Sequence, residues 1–302
     1  MTADAFKPEL DHCGVAVRDL ERGRQAYARL GFQLTARSIH SGSKSPGAPV
    51  EPWGSGNHCA MFREGYLEII GLTDPSMYSS VKEMVERYEG LHIVAIGCGN
   101  ADSAWAGFQA SGAPVDPIRF LERDAAFGPG DREVRRARFR NMYVDRQKFN
   151  EAKFLFIEHM TRDVLWQPHL LDHPNGALGM EAIYFVVPDP AATAAKFAPL
   201  FSARVEELPG VTRLALGRGS LWLTTEAQWR DKVPGAFVPP QPAPAGFGIR
   251  VASLEATRKY LASQGVRTHE AMHGSGKSGA PPSLWVAPED ACGAAIQFLQ
   301  AQ

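Results

Sequence analysis

"GVAVRDLERGRQAYARLGF" (Gly14 to Phe32) and "GIRVASLEATRKYLASQGV" (Gly248 to Val266) are two copies of one pattern near opposite ends of the chain. Each reads as a β-like apolar run, a Leu-Glu helix start, apolar residues every three or four positions, and a glycine stop. Two looser copies lie between them, "HIVAIGCGNADSAWAGFQASGAPV" (His92 to Val115) and "IYFVVPDPAATAAKFAPLFSARV" (Ile183 to Val205). After every helix come two or three further β-like runs, closing on "YLEII" (Tyr66 to Ile70), "FLFIEH" (Phe154 to His159), "LWLTT" (Leu221 to Thr225) and "AAIQFL" (Ala294 to Leu299). The unit is therefore strand, helix and short meander, repeated four times. One such unit exposes an apolar sheet face and must pair to bury it. The reading is an α+β chain of four βαβββ modules paired into two curled-sheet domains, residues 1–165 and 178–302. "TRDVLWQPHLLDHPNGA" (Thr161 to Ala177) connects them, and "VPGAFVPPQPAPAG" (Val233 to Gly246) is an extended spacer between the third and fourth units.

A chain of 302 residues, 44% hydrophobic and 22% charged, has the composition of a folded protein of about two domains. Its formal net charge of -1 steers it to neither nucleic acid nor an anionic membrane surface, so the expected partner is a small molecule. Cys13, Cys59, Cys98 and Cys292 stand singly with no CxxC pair, which fits reduced thiols in a cytoplasmic protein. The N-terminus lacks a basic stretch followed by an apolar one, and no run of about 18 apolar residues occurs, so neither secretion nor membrane spanning is expected. Units can pair within one chain or between chains, which leaves a homodimer open.

Chemistry-bearing residues fall at matching places in the first two units. His12, in "LDHCGVAV", and His92, in "LHIVAIG", each open a first strand. Glu68 sits inside the last strand of unit one, where an unpaired buried carboxylate would be costly; the last strand of unit two offers Glu158 and His159. Two histidines and two carboxylates suit a divalent metal held through nitrogen and oxygen. The competing reading is a pair of hydrogen-bonded structural histidines on core strands. Units three and four carry Ala182 and Gly246 where the histidines would stand and Gln297 in place of glutamate, so no catalytic metal is expected there.

These features resemble the vicinal oxygen chelate superfamily, the group of glyoxalase I, methylmalonyl-CoA epimerase, extradiol dioxygenases and bleomycin-resistance proteins. More narrowly, "WGSGNHCAMFREGYLEII" and "HPNGALGMEAIYFVV" are similar to glyoxalase-like domain proteins. The fold-level resemblance covers nearly the whole chain and is sharpest between residues 10 and 178. It implies paired units curled into a cup around a divalent metal (zinc, nickel, manganese or iron), with His12, Glu68 and His92 on ligand positions. Matching "GYLEIIG" to "LFIEHMT" puts the fourth ligand at Glu158, whereas a shifted register puts Leu155 there. Alternation along a strand lets only one of Glu158 and His159 face the cup, and Glu158 is taken. The resemblance implies a lyase or isomerase that stabilises an enolate or enediolate of a small oxygenated, anionic substrate. Glu158 would leave the metal to act as base. Two histidines and a carboxylate would also suit an iron(II) extradiol-type dioxygenase. A reading of another class is a binding protein that sequesters a small molecule.

Substrate contacts are expected from His40 and His58, which flank "WGSGN". Lys44 and Lys277 sit in two similar small-residue loops, "IHSGSKSPGAPVEPW" and "MHGSGKSGAPPSLWV", which could close over an anion as lids. Arg136, Arg138 and Arg140 recur at period two, so a strand would place them on one face. Facing inward, Arg138 would bind a carboxylate or phosphate; facing outward, the three form a solvated stripe.

Overall fold

The computed structural model describes residues 7–43, 49–233, 236–270 and 282–301. The first half runs β1 (Glu9–Val17), α1 (Leu20–Arg29), β2 (Ser38–Ser43), β3 (Val50–Met61), β4 (Tyr66–Leu72), α2 (Val81–Arg87), β5 (Gly90–Gly97), α3 (Ala101–Ser111), β6 (Arg119–Phe127), β7 (Glu133–Tyr143), β8 (Lys153–His159) and α4 (Arg162–Leu165). The second runs β9 (Ala177–Val186), α5 (Pro190–Leu200), β10 (Arg204–Leu208), β11 (Val211–Ala215), β12 (Ser220–Thr224), α6 (Glu226–Lys232), β13 (Ala243–Val251), α7 (Leu254–Ser263), β14 (Thr268–Glu270), β15 (Ser283–Val286) and β16 (Ala295–Gln300).

The helix of every unit starts where a short polar side chain follows the first strand. Asp19 accepts from the N–H groups of Glu21 and Arg22, Asn100 from Ser103, Asp189 from Ala192 and Ser253 from Ala256. Each cap thereby satisfies backbone donors that a helix start leaves open. Gly31, Gly112 and Gly265 end three of these helices with left-handed backbone, but the third unit has Ser202 at φ 45°. A Cβ in that region costs about 1–2 kcal/mol, so Ser202→Gly is expected to raise stability by roughly 0.5–1 kcal/mol after the added freedom of the unfolded chain is subtracted. A shift of the urea midpoint to higher concentration checks this.

The last strand of each unit returns to lie parallel beside the first, and the first strands of paired units run antiparallel. The result is two eight-stranded curled sheets, ordered β2-β3-β4-β1-β5-β8-β7-β6 and β10-β11-β12-β9-β13-β16-β15-β14. Their helix-bearing faces share one apolar core, in which Tyr27, Phe108, Phe197 and Leu261 of the four long helices meet Val15, Phe156, Phe185 and Ile249. Phe154 stacks on Phe185 at 5.9 Å across the two sheets. Burial of a side chain of this kind contributes about 1.5–3 kcal/mol, and this core joins the halves.

The opposite face of each sheet is a cup. In the first, Ala16, Ile70, Ile93, Ala95, Leu155 and Ile157 line an apolar end covered by Val81, Met84 and Val85 of α2. In the second, Trp229 of α6 is fully buried against Tyr184 and Trp285. A Cβ on Gly246 would meet the Trp229 ring at 3.1 Å. The small residues that replace the histidines in the second half therefore make room for an aromatic filling. The Tyr184 hydroxyl donates to the Gln297 side chain, whose amide donates to Ser283 Oγ at 2.9 Å, so the second cup is closed by its own side chains. Among the described residues no helix is long and apolar enough to cross a membrane.

Candidate functional site

Strand register decides which residues face the first cup, because side chains alternate. On β1 and β4, His12 pairs with Tyr66, Gly14 with Glu68 and Ala16 with Ile70. Cys59 of β3 lies opposite Glu68, and Asn57 opposite Ile70. On the other side, β8 presents Lys153, Leu155, Ile157 and His159, and the β6–β7 hairpin presents Arg123 opposite Ala137. A polar centre thus sits between the apolar end under α2 and an aromatic end built by Tyr66, Phe139, His159 and Trp166.

Glu68 is the anion of that centre. Asn57 Nδ2 donates to its Oε1 at 2.5 Å, which leaves the other oxygen free of that bond. Lys153 reaches in from β8, its ammonium 5.8 Å from the centre of the Tyr143 ring. Burial pushes this ammonium below its ordinary value, and the Glu68 charge opposes that shift. His40 holds Ser55 Oγ at 3.0 Å; burial holds its imidazole toward the neutral form, Glu68 opposes this, and Arg123 and Lys153 reinforce it. Arg123 donates to Ser38 Oγ at 3.1 Å. Burial and then the Glu68 charge push the Cys59 thiol up to about 12, so it stays protonated at neutral pH.

At the aromatic end the pairing of β1 with β5 slips between Leu10 and His12, making Asp11 the extra residue of a bulge. Its Oδ1 accepts from His12 Nδ1 at 2.7 Å and from His159 Nε2 at 3.1 Å. Burial alone would raise this carboxyl, but the two histidines outweigh it and hold it well below the carboxylate range. The other His12 nitrogen meets the Tyr66 hydroxyl at 3.3 Å, with the two rings stacked at 4.1 Å. His159 Nδ1 is buried without a partner among the described residues.

Several sequence expectations change on this frame. Glu158 lies on the helix-bearing face, where it accepts from the Ala101 N–H at the start of α3 and pairs with Arg140 at 2.7 Å; the cup-facing residue of the pair is His159. His92 is the bulged residue of β5, stacked on Tyr88 at 4.0 Å with Nε2 on the Tyr88 carbonyl at 2.9 Å, away from His12. His58 faces the helix side, its ring nitrogen on the Thr35 carbonyl at 2.8 Å. Arg138 and Arg136 form the solvated stripe, paired with Glu122 and Asp124 of β6. The hairpin arginine that turns inward is Arg123. Lys44, together with His273 and Lys277 of the matching loop, lies outside the described residues. Of the expected residues, the cup brings together His12, Glu68 and His40, and it adds Asp11, Asn57, Arg123, Lys153 and His159.

The family model for the glyoxalase-like domain matches residues 10–201, from within β1 through the rest of the first sheet and on through β9 and α5. The chain belongs to the glyoxalase-like domain family. Its solved structural neighbours include a hypothetical protein from Staphylococcus aureus (13% identity, covering 97% of this chain and 100% of that one, TM-score 0.59). They also include a variant of 4-hydroxymandelate synthase from Streptomyces coelicolor (12%, 98% and 93%, 0.55) and the Mn(II)-bound glyoxalase from Novosphingobium aromaticivorans (12%, 98% and 82%, 0.55). The last two are vicinal oxygen chelate proteins. At such identities the likeness establishes the fold. No curated protein matches the chain.

A resident divalent metal is the family expectation that these residues do not meet. Among the described residues no group of three His, Cys, Asp or Glu side chains is arranged to hold a metal ion. Asp11, His12 and His159 meet, but through hydrogen bonds to one another. Both His12 nitrogens are engaged, His92 is elsewhere on a carbonyl, and Glu158 is on the other face. Burial lowers the His92 pKa from 6.5 to about 4, so the folded protein keeps it neutral while the unfolded chain protonates it. The unfolded state then binds more protons, and stability present above pH 6.5 is lost as pH falls toward about 4. His92→Gln, which can still donate to the Tyr88 carbonyl, is expected to flatten that part of the stability–pH curve in urea titrations.

Proposed function

We propose that the first cup binds a small oxygenated anion and moves a proton on the carbon beside its carbonyl, as a lyase or isomerase acting through an enolate. The observation that carries this reading is Glu68, set on one oxygen by Asn57 and surrounded by Lys153, His40 and Arg123 in a cup that excludes water at its α2 end. The free Glu68 oxygen takes the proton, and the electron pair of the broken C–H bond moves onto the carbonyl oxygen. The ammonium of Lys153 and the guanidinium of Arg123 stabilise that oxygen and the substrate's own charge. Where the carbon that loses the proton also carries a hydroxyl, the intermediate is an enediolate. Return of the proton to the former carbonyl carbon, with the hydroxyl proton passing to the oxygen already there, makes the hydroxyl carbon the new carbonyl and completes an isomerisation. Where a leaving group sits on the next carbon, the enolate re-forms its carbonyl as that group departs with the C–O or C–N bonding pair, which completes a lyase reaction. No step passes through a metal, since the described residues do not fit one. The iron(II) dioxygenase reading needed two histidines and a carboxylate open to a metal, whereas the two histidines and carboxylate that meet in the cup, His12, His159 and Asp11, are hydrogen-bonded to one another. A binding protein is the second reading, favoured by the covering of the apolar end by Val81, Met84 and Val85.

The test is a panel of small 2-oxo and 2-hydroxy acids incubated with the protein in D2O, with loss of the proton beside the carbonyl followed by NMR. Exchange of at least one compound is expected. Arg123→Ala should weaken its apparent affinity about tenfold or more, as removal of a charged hydrogen-bonding partner does, whereas Arg138→Ala should leave it unchanged. Saturable binding with no exchange would favour the sequestering reading.

A further inference from the structure

A second cleft, of about 670 Å³, lies between the two halves and away from the first cup. Its volume falls within the range of sites for small organic ligands. One wall comes from the start of α1 and the end of α2, and the other from α6, residues 237–241 and the turn at Pro288 to Gly293.

Its charges do not balance. Arg18 and Arg22 both turn to one carboxylate, Glu89 Oε2, at 3.3 and 3.5 Å. Arg87 donates to two neutral carbonyls, Pro240 at 2.9 Å and Pro242 at 3.4 Å. Arg230 is matched by Glu226 at 2.7 Å, and Glu289 stands on the exposed rim. Two guanidiniums therefore share one carboxylate at the α1–α2 wall, and the third, Arg87, donates to carbonyls. Facing them is an apolar surface of prolines with Phe237, which is 42% exposed although its ring lies only 6.3 Å from that of Tyr88. A large aromatic left half-open beside uncompensated guanidiniums is chemistry suited to a flat ring carrying a negative charge: the ring packs on Phe237 and the prolines, and the guanidinium forks take the anion.

We propose that this cleft is a binding site for a planar aromatic anion, an aryl carboxylate or an aryl phosphate, separate from the first cup. A ligand there touches both halves and the end of α2, the helix that covers the cup.

The probe is 8-anilinonaphthalene-1-sulfonate, an aromatic anion whose fluorescence rises on binding, titrated into the full chain. One saturable site is expected, weakened at least tenfold by Arg87→Ala and by Phe237→Ala and unchanged by Lys153→Met in the first cup. Arg22→Glu, at a side chain 66% exposed, gives a second charge variant that does not threaten folding. Benzoate and phenyl phosphate should displace the probe and reveal which anion is preferred, while phenol and inorganic phosphate alone should be at least tenfold poorer. The proposal is overturned if binding survives the three cleft variants, if it is lost in Lys153→Met, or if phenol and phosphate displace the probe as well as the aromatic anions do.

Discussion

Glu68→Gln is expected to reduce proton exchange on the order of 10²- to 10⁴-fold, the usual contribution of a positioned general base, with little change in thermal stability. The substitution keeps the shape of the side chain and an acceptor oxygen for Asn57 Nδ2, so the local hydrogen bond can survive. It removes the charge and the proton-accepting oxygen. The Glu68 charge favours the charged forms of Lys153 and His40, so its removal disfavours those cations while also removing the repulsion between Glu68 and an anionic ligand. The two effects oppose each other in affinity, and the main defect should lie in turnover. A variant that loses both affinity and turnover in proportion would make Glu68 a binding group. One that loses neither would remove it from the chemistry.

Asp11→Ala is expected to be the most destabilising single change in the first sheet. The carboxylate is buried, 6% exposed, and is the shared acceptor of two imidazoles. Its removal leaves His12 Nδ1 and His159 Nε2 without partners in a site closed by Tyr66, Phe139 and Trp166. Breaking a buried charged set in this way costs about 3–5 kcal/mol, which for a chain of this size lowers Tm on the order of 10 °C. The pH dependence has a definite sign. The folded carboxyl is held below its unfolded value, so its contribution is present above the unfolded pKa of about 3.9 and is lost as pH falls below it. The gap in stability between the parent protein and Asp11→Ala should therefore be widest near neutrality and narrow only below about pH 4. Thermal melts of both proteins from pH 3 to 8 measure it.

The fold was legible because its signals are local. Asp19, Asn100, Asp189 and Ser253 each sit one strand-length into a unit and cap a helix, and glycine ends three of the four helices. Which side chains face the cup was legible only where a regular register was enough, as for His12 and Glu68. Bulges at Asp11 and His92 depend on how β1 and β5 pair, which no single strand reveals, and they turn one residue into the cup and the other away from it. Alternation showed that Glu158 and His159 face opposite ways and that the arginines of β7 share a face. Which face was the cup required the partner strands and the neighbouring carboxylates Glu122 and Asp124. The missing histidines of the second half were plain in the sequence. Their reason, Trp229 arriving from a short helix inserted between β12 and β13, was not, because one tryptophan in a seven-residue helix carries no periodic signal.

The central claim, that the first cup is the reaction site and works through Glu68, is tested most directly by a crystal structure with an exchanging compound from the oxo- and hydroxy-acid panel bound, collected with anomalous data for transition metals. The expected result is the ligand in the first cup, its carbonyl carbon's neighbour within reach of the free Glu68 oxygen and its anionic oxygens toward Lys153 and Arg123. A ligand seated elsewhere, or a stoichiometric metal ion held by His12 and Glu68, would contradict it.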